Sequence, residues 1–429
     1  MSKLLHLLLL LLPLVVLVAL VALARRRPSV AWLTLAGFVI AAGDWTNPGA
    51  LLNLGSLAIY PQDAVAIVLL LAVITTSGAF KRAEPLDLAL WGTVVAMLLI
   101  SLLRGFSDFG LTTAGNEVRS IVQLAAATLW VWARIPLPQF SRELRRWCWV
   151  TALGLTVVAS IHIWQRGLGN VDELILVNGN EVSSRPLIAT QALILGLVGL
   201  GLLVRETRFT LRLVAVGFLA LCVVCQQRSV WAALILAVAS LALLAPKLRA
   251  RLLGLGLLTG LVVLVLYSAR TLDPLIRKFD LAYHSRGTYI DRQLAWRTLV
   301  SQQNRMGSTS VLLGQPFGSG YVRREPNGSV EYFAPHNYFV VLYLRIGLIG
   351  VTAFVLALIR GVTRNLKLRQ PVGVAWGVGL ATFCYAYNIQ LYVAPLLAVV
   401  LGGTFIRASA DNESSHGPQG VHHDVVTTS

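Results

Sequence analysis

The chain has 429 residues, of which 56% are hydrophobic and 13% charged, and it carries a formal net charge of +17. Soluble domains hold roughly a quarter charged residues, so this composition excludes an ordinary soluble domain and points to a polytopic membrane protein. In a soluble protein the positive balance would suggest nucleic acid; here it collects in short loops between apolar runs, where Lys and Arg set topology, and no nucleic-acid partner is expected.

Apolar runs follow one another along the chain. Candidate spans fall at about 4–24, 29–43, 62–80, 86–103, 120–135, 148–167, 187–204, 211–227, 229–245, 252–269, 337–358, 373–387 and 389–407. The expected fold class is all-α: an integral membrane protein with about 12–13 transmembrane helices and one long, partly helical extracytoplasmic loop. Residues 1–269 and 337–407 form the membrane helices, 270–336 the loop, and 408–429 a polar, disordered tail. The first run, LLHLLLLLLPLVVLVALVALARRR, reads as a span and not a signal peptide, because its apolar part is long and its stronger basic cluster follows it.

Orientation follows from the short loops. ARRRP (24–28), KRAEP (81–85), SRELRRW (141–147), RETRFTLR (205–212), KLRAR (247–251) and RGVTRNLKLRQ (360–370) are basic and fall on one side, which is assigned to the cytoplasm. The segments 44–62, 105–119 and 167–185 are less basic and form loops on the other side. Cys148, Cys222, Cys225 and Cys384 all lie in apolar runs and read as packing residues, with neither disulfide nor metal expected. His416, His422 and His423 belong to the solvated tail.

Residues 270–335 break the short-loop pattern: they carry nine Lys/Arg against five acids on the outer side, which suits an anionic ligand. Within them YIDRQLAWRTLVSQQ (289–303) has helical spacing, with Arg292 and Trp296 as i, i+4 neighbours. Such a helix can lie on the membrane surface, burying Leu294 and Trp296 and projecting Arg292 towards a headgroup. LLGQPFGSGY (312–321) follows; Gly314, Gly318 and Gly320 suit a tight turn whose amides approach phosphate.

Three polar residues stand where apolar ones are expected. Arg228 sits at a junction with almost no loop, on the outer side. His336 is at the outer boundary of a span, where a neutral imidazole either anchors the helix or accepts a proton from a hydroxyl. Arg345 lies nine residues further on, roughly 13 Å deeper by helical rise and near the bilayer centre, so it should face protein or a polar cavity. His162 and Arg185 are weaker members of the same set.

The order of these features resembles the O-antigen ligase and O-antigen polymerase superfamily. An outer arginine at a tight junction (QQRSVW) is followed by an Arg-x-x-x-Trp helix (RQLAW), a proline–glycine turn (PFGSGY), and then His336-Asn337-Tyr338-Phe339 and Gly347-Leu348-Ile349-Gly350. Val340 stands where the family pattern has leucine, and the resemblance covers about residues 220–352.

The resemblance implies transfer of a glycan from an undecaprenyl-diphosphate carrier to a sugar hydroxyl on the outer side of the inner membrane. The acceptor would be lipid A–core or another glycan, with no cofactor and no metal. Arg228 and Arg292 would hold the diphosphate leaving group, and His336 would orient or deprotonate the acceptor. Arg286, Arg345, Trp296, Gly318, Gly320, Asn337 and Arg185 would contribute to the diphosphate and glycan sites. Two further functions fit many spans: a secondary transporter, and a lipid-linked-sugar glycosyltransferase, with Asp44 as the acid its first outer loop offers, or protein O-glycosylation ligase.

Overall fold

The computed structural model describes residues 3–42, 50–54, 57–76, 83–167, 174–177, 180–183, 185–246, 249–250, 287–324 and 330–402. The expected span at 252–269, Arg286, Asp44 and the tail 408–429 lie outside the described residues.

The described chain is mostly α-helical: α1 (Lys3–Arg26), α2 (Pro28–Ile40), α3 (Pro61–Ile74), α4 (Pro85–Arg134), α5 (Phe140–Arg166), α6 (Ala189–Arg205), α7 (Phe209–Val224), α8 (Arg228–Leu244), α9 (Gly287–Arg305), α10 (Ser308–Leu313), α11 (Tyr338–Lys367), α12 (Pro371–Ala386) and α13 (Ala394–Gly402). Prolines open α2, α3, α4 and α12 at a position where the missing N–H costs nothing. Among the described residues three short antiparallel hairpins punctuate the helices, pairing Leu52 with Ile59, Leu174 with Ser183 and Arg323 with Glu331. Among the described residues α4, α5 and α11 are long and apolar enough to cross a membrane.

Two of these long helices fold back on themselves at a glycine. Gly110 breaks α4 with φ 81°, and a Cβ on Gly105 would lie 3.1 Å from that of Ala114. Nine residues of straight helix span about 13 Å, so the chain reverses at Gly110. The expected spans 86–103 and 120–135 are the two limbs of this hairpin. The expected loop 105–119 is helical except at its turn, because a glycine with positive φ reverses direction without leaving hydrogen-bonded structure for long.

Gly347, at φ 63°, does the same in α11: the Tyr338 and Phe354 rings, 16 residues apart, have centroids 5.8 Å apart. In a straight helix that separation is about 24 Å. Arg345 therefore sits at the far end of the short limb, beside the reversal, not midway down a continuous span; the depth expected from continuous helical rise is corrected by the reversal. Beyond the break the helix runs to Lys367, through most of the stretch expected as the basic loop 360–370. Likewise α5 begins at Phe140 and absorbs the expected loop 141–147.

The hairpin in α4 puts Pro85 and Arg134 at one end of the bundle, and ion pairs extend that end. Arg360 and Arg364 bind Glu84 and Asp87, Arg134 lies 3.6 Å from Glu143, and Arg145 lies 2.6 Å from Glu206. This basic end gathers described parts of five of the six loops assigned to the cytoplasm. At the other end lie the glycine reversals, α9 and α10.

The main core runs through the helices, with Leu144, Leu193, Val230, Trp376 and Phe383 buried. A second, smaller core lies under the α9–α11 connection and joins Ala114 and Val118 of α4, Leu299 of α9, Phe317, Tyr321, and Val341 and Leu344 of α11. It seats the connection between the two helix reversals.

Candidate active site

The segment 312–321 threads past both glycine breaks. The Gln315 amide donates to the Leu344 carbonyl at 2.7 Å, the Ser101 hydroxyl donates to the Gln315 carbonyl at 3.0 Å, and Arg104 donates to the Gly314 carbonyl at 3.0 Å. Gly347 and Gly105 must lack side chains here, because a Cβ would collide with the carbonyls of Leu312 and Phe317.

Arg345 ties this arrangement together. It is fully buried and pairs with Glu117 across 228 residues of sequence; its other nitrogens donate to the Ser319 hydroxyl at 2.9 Å and the Gly320 carbonyl at 2.5 Å, and its guanidinium lies 4.3 Å from the centre of the Tyr321 ring. The Glu117 carboxylate also accepts the Gly318 amide at 2.5 Å. The structure thus places Arg345, Gly318 and Gly320 in an internal polar knot. The amide expected to approach phosphate at Gly318 already faces an anion, the carboxylate of Glu117.

A second cluster surrounds Tyr387, just past the end of α12. The Arg292 guanidinium stands 5.0 Å over the Tyr387 ring and its Nη2 donates to the hydroxyl at 3.4 Å. The His336 ring lies 5.5 Å from the same ring, which stacks on Phe383 at 5.2 Å. One helical turn along α9, Trp296 packs edge-on against Tyr385 at 5.4 Å. Two residues spaced i, i+4 on one helix therefore meet two tyrosines spaced i, i+2 on another segment. The buried face of α9 is Ala295, Trp296, Leu299 and Gln303; Leu294, expected to be buried with Trp296, is 38% exposed and faces away.

His336 is exposed at the surface of this cluster, yet its pKa is pushed down to about 4. Desolvation of the ring contributes most, followed by the charges of Arg292 and Arg323. Near neutral pH the imidazole is uncharged and can accept a proton. Arg323 is held in turn by donating to the Phe333 carbonyl at 2.8 Å. Asn337 is 4% exposed and caps α11, its side-chain oxygen accepting the Val340 amide at 3.1 Å, so it fixes the approach of His336 to the helix.

Arg228 and Arg185 belong to the same end of the molecule. Gln227 accepts from Arg185 at 2.6 Å and donates to the Leu187 carbonyl at 3.2 Å. Moving away from Leu187 along α6, Gly196 meets Leu234 and Gly201 meets Trp376, while Leu197 touches Gly379. So α8 runs away from Arg228 as α12 runs towards Tyr387, and Arg228 opens α8 at the end where α12 delivers Tyr387. His162 is 2% exposed near the end of α5.

Of the sequence-derived candidates, the structure joins Arg292, Trp296 and His336 at the two tyrosines, puts Arg228 and Arg185 at the same end, and sets Arg345, Gly318 and Gly320 in the adjoining knot. Tyr385, Tyr387 and Glu117 were missed by sequence reasoning. The two tyrosines close an apolar run (CYAYNIQ) without a charge to mark them, and Glu117 lies in a stretch that reads as a polar loop. Among the described residues no group of three or more His, Cys, Asp and Glu side chains gathers. No protein-family model matches the chain, and no curated protein matches it either.

Proposed function

We propose that the chain is a polytopic inner-membrane enzyme of the O-antigen ligase or polymerase type. It spans the bilayer about 12–13 times, with the Tyr387 cluster facing the periplasm and the basic end facing the cytoplasm. It transfers a glycan from undecaprenyl diphosphate to a hydroxyl of lipid A–core or another glycan. The observation that carries this reading is the meeting of Arg292 and a neutral His336 on one tyrosine, at the end opposite the basic loops.

The chemistry follows from the side chains. The acceptor oxygen attacks the anomeric carbon, the bond from that carbon to the diphosphate oxygen breaks, and undecaprenyl diphosphate leaves as an anion. His336 takes the hydroxyl proton as the new bond forms. Arg292 donates to the leaving oxygens, and Arg228 adds a second charge from the start of α8. Tyr387 holds the Arg292 guanidinium by its ring face, which fixes the donor fork before substrate arrives. The Arg345–Glu117 knot keeps the segment from α10 to Tyr321 in one conformation. Glycan transfer from lipid-linked donor in reconstituted vesicles tests the reading. Arg292→Ala, Arg228→Ala and His336→Ala should each abolish or strongly reduce transfer while the protein still inserts; full activity in the arginine variants would remove the leaving-group assignment.

The secondary-transporter reading draws on one specific observation, the helix breaks at Gly110 and Gly347, since transporters place binding sites at broken helices. The space beside Gly347 is filled by the backbone of Leu312 and Gly314, which argues against a solute site there. Uptake of a labelled solute without glycan transfer would favour the transporter.

A further inference from the structure

The basic end contains two adjoining cavities that glycan transfer does not use. The first, about 790 Å³, is lined by Arg25, Arg26 and Arg134; the second, about 500 Å³, by Arg26, Arg27, Arg142 and Arg146. Arg26 and Gln139 line both. A membrane protein needs basic residues at its cytoplasmic end for topology alone, so their presence is no argument. Their partners are.

Elsewhere at this end Arg360 and Arg364 are neutralised by Glu84 and Asp87, and Arg145 by Glu206. The one acid lining the cavities, Glu143, is committed to Arg134 and to the Trp32 indole, which donates to it at 2.9 Å. Among the described residues Arg25, Arg26, Arg27, Arg142 and Arg146 form no ion pair with a carboxylate. Five cations thus face two concave spaces after the local acids are spent. Guanidinium groups gathered at that density call for an anion with several oxygens.

We infer that the paired cavities bind the headgroup of an anionic phospholipid carrying two phosphates, one in each cavity, with Arg26 between them. Basic pockets between helices on the cytoplasmic side suit such headgroups. Leu33 and Val150, 56% and 38% exposed, line the second cavity and offer its acyl chains an apolar path. The inference rests on the membrane-spanning part of the proposal above and is independent of glycan transfer.

Native mass spectrometry of the detergent-purified full chain tests it, with added diphosphatidylglycerol, phosphatidylglycerol and phosphatidylcholine as probes. The wild-type protein should retain diphosphatidylglycerol in preference to phosphatidylglycerol, and phosphatidylcholine least. Arg26→Gln/Arg142→Gln/Arg146→Gln should weaken diphosphatidylglycerol binding about 10- to 100-fold. The single variant Arg26→Gln, which touches both cavities and alters one exposed side chain, should weaken it about fivefold. Arg305→Gln, an exposed arginine at the opposite end, should leave binding unchanged. Equal retention by wild type and Arg26→Gln, equal loss in Arg305→Gln, or no preference for two phosphates over one would overturn the assignment.

Discussion

Replacing Arg345 by Met tests why an apolar helix hides a cation. The substitution keeps the side-chain volume and removes four interactions: the ion pair with Glu117, the bonds to Ser319 and Gly320, and the contact with the Tyr321 ring. Glu117 then keeps the Gly318 amide and the Tyr321 side chain as partners but loses its cation, in a site where the arginine side chain was 0% exposed and the carboxylate 13%. Removing one member of a buried pair costs about 3–5 kcal/mol, because the other charge stays buried without compensation.

Removing both charges should cost much less than the sum of the single changes. Arg345→Met/Glu117→Gln is therefore expected to recover about 2 kcal/mol or more of the combined loss in a double-mutant cycle. The assay is reversible unfolding in mixed micelles of the wild type, both single variants and the double variant. A loss below about 1 kcal/mol for Arg345→Met, or strict additivity across the cycle, would refute the claim that this pair locks the loop.

Three other perturbations follow from the geometry. Gly347→Ala forces a positive φ on a residue with a Cβ and drives that Cβ into the Leu312 carbonyl, so a loss of about 2–5 kcal/mol is expected in the same unfolding assay. Tyr387→Phe keeps the ring beneath Arg292 and gives up a 3.4 Å hydrogen bond, so transfer should fall less than about fivefold, whereas Tyr387→Ala should lose at least ten times more. The pKa of His336 is lowered, so the neutral base persists as pH falls: kcat/KM at pH 5.5 should nearly equal that at pH 7.5. A histidine at its ordinary pKa would retain roughly a tenth of the rate at pH 5.5.

Local spacing carried the legible part of the site. Arg292 and Trp296 are four residues apart, helical spacing puts them on one face, and in the structure that face meets Tyr387 and Tyr385. His336 was marked by its position before an apolar run; its neutrality follows first from desolvation of the ring and then from Arg292 and Arg323, which the sequence places 44 and 13 residues away. Burial of Arg345 was readable from the cost of exposing a guanidinium to lipid; its partner was not, because Glu117 lies 228 residues earlier. The two reversals were hidden for a related reason. Polar residues around Gly110 (Asp108, Thr112, Asn116, Glu117) read as a loop; in the hairpin Asp108 and Asn116 stay exposed near the turn, while the small Gly105 and Ala114 lie between the limbs. Continuous apolarity through 338–358 concealed the fold at Gly347, which depends on the backbone of Leu312 and Gly314 filling the break.

The most direct test of the central claim is an experimental structure of the full chain with undecaprenyl diphosphate bound in a lipid nanodisc. The diphosphate should lie within hydrogen-bonding distance of Arg292, with Arg228 on its other side and His336 free to meet an acceptor hydroxyl. A diphosphate held elsewhere, with the Arg292 guanidinium still seated on Tyr387 and no phosphate near it, would contradict the account.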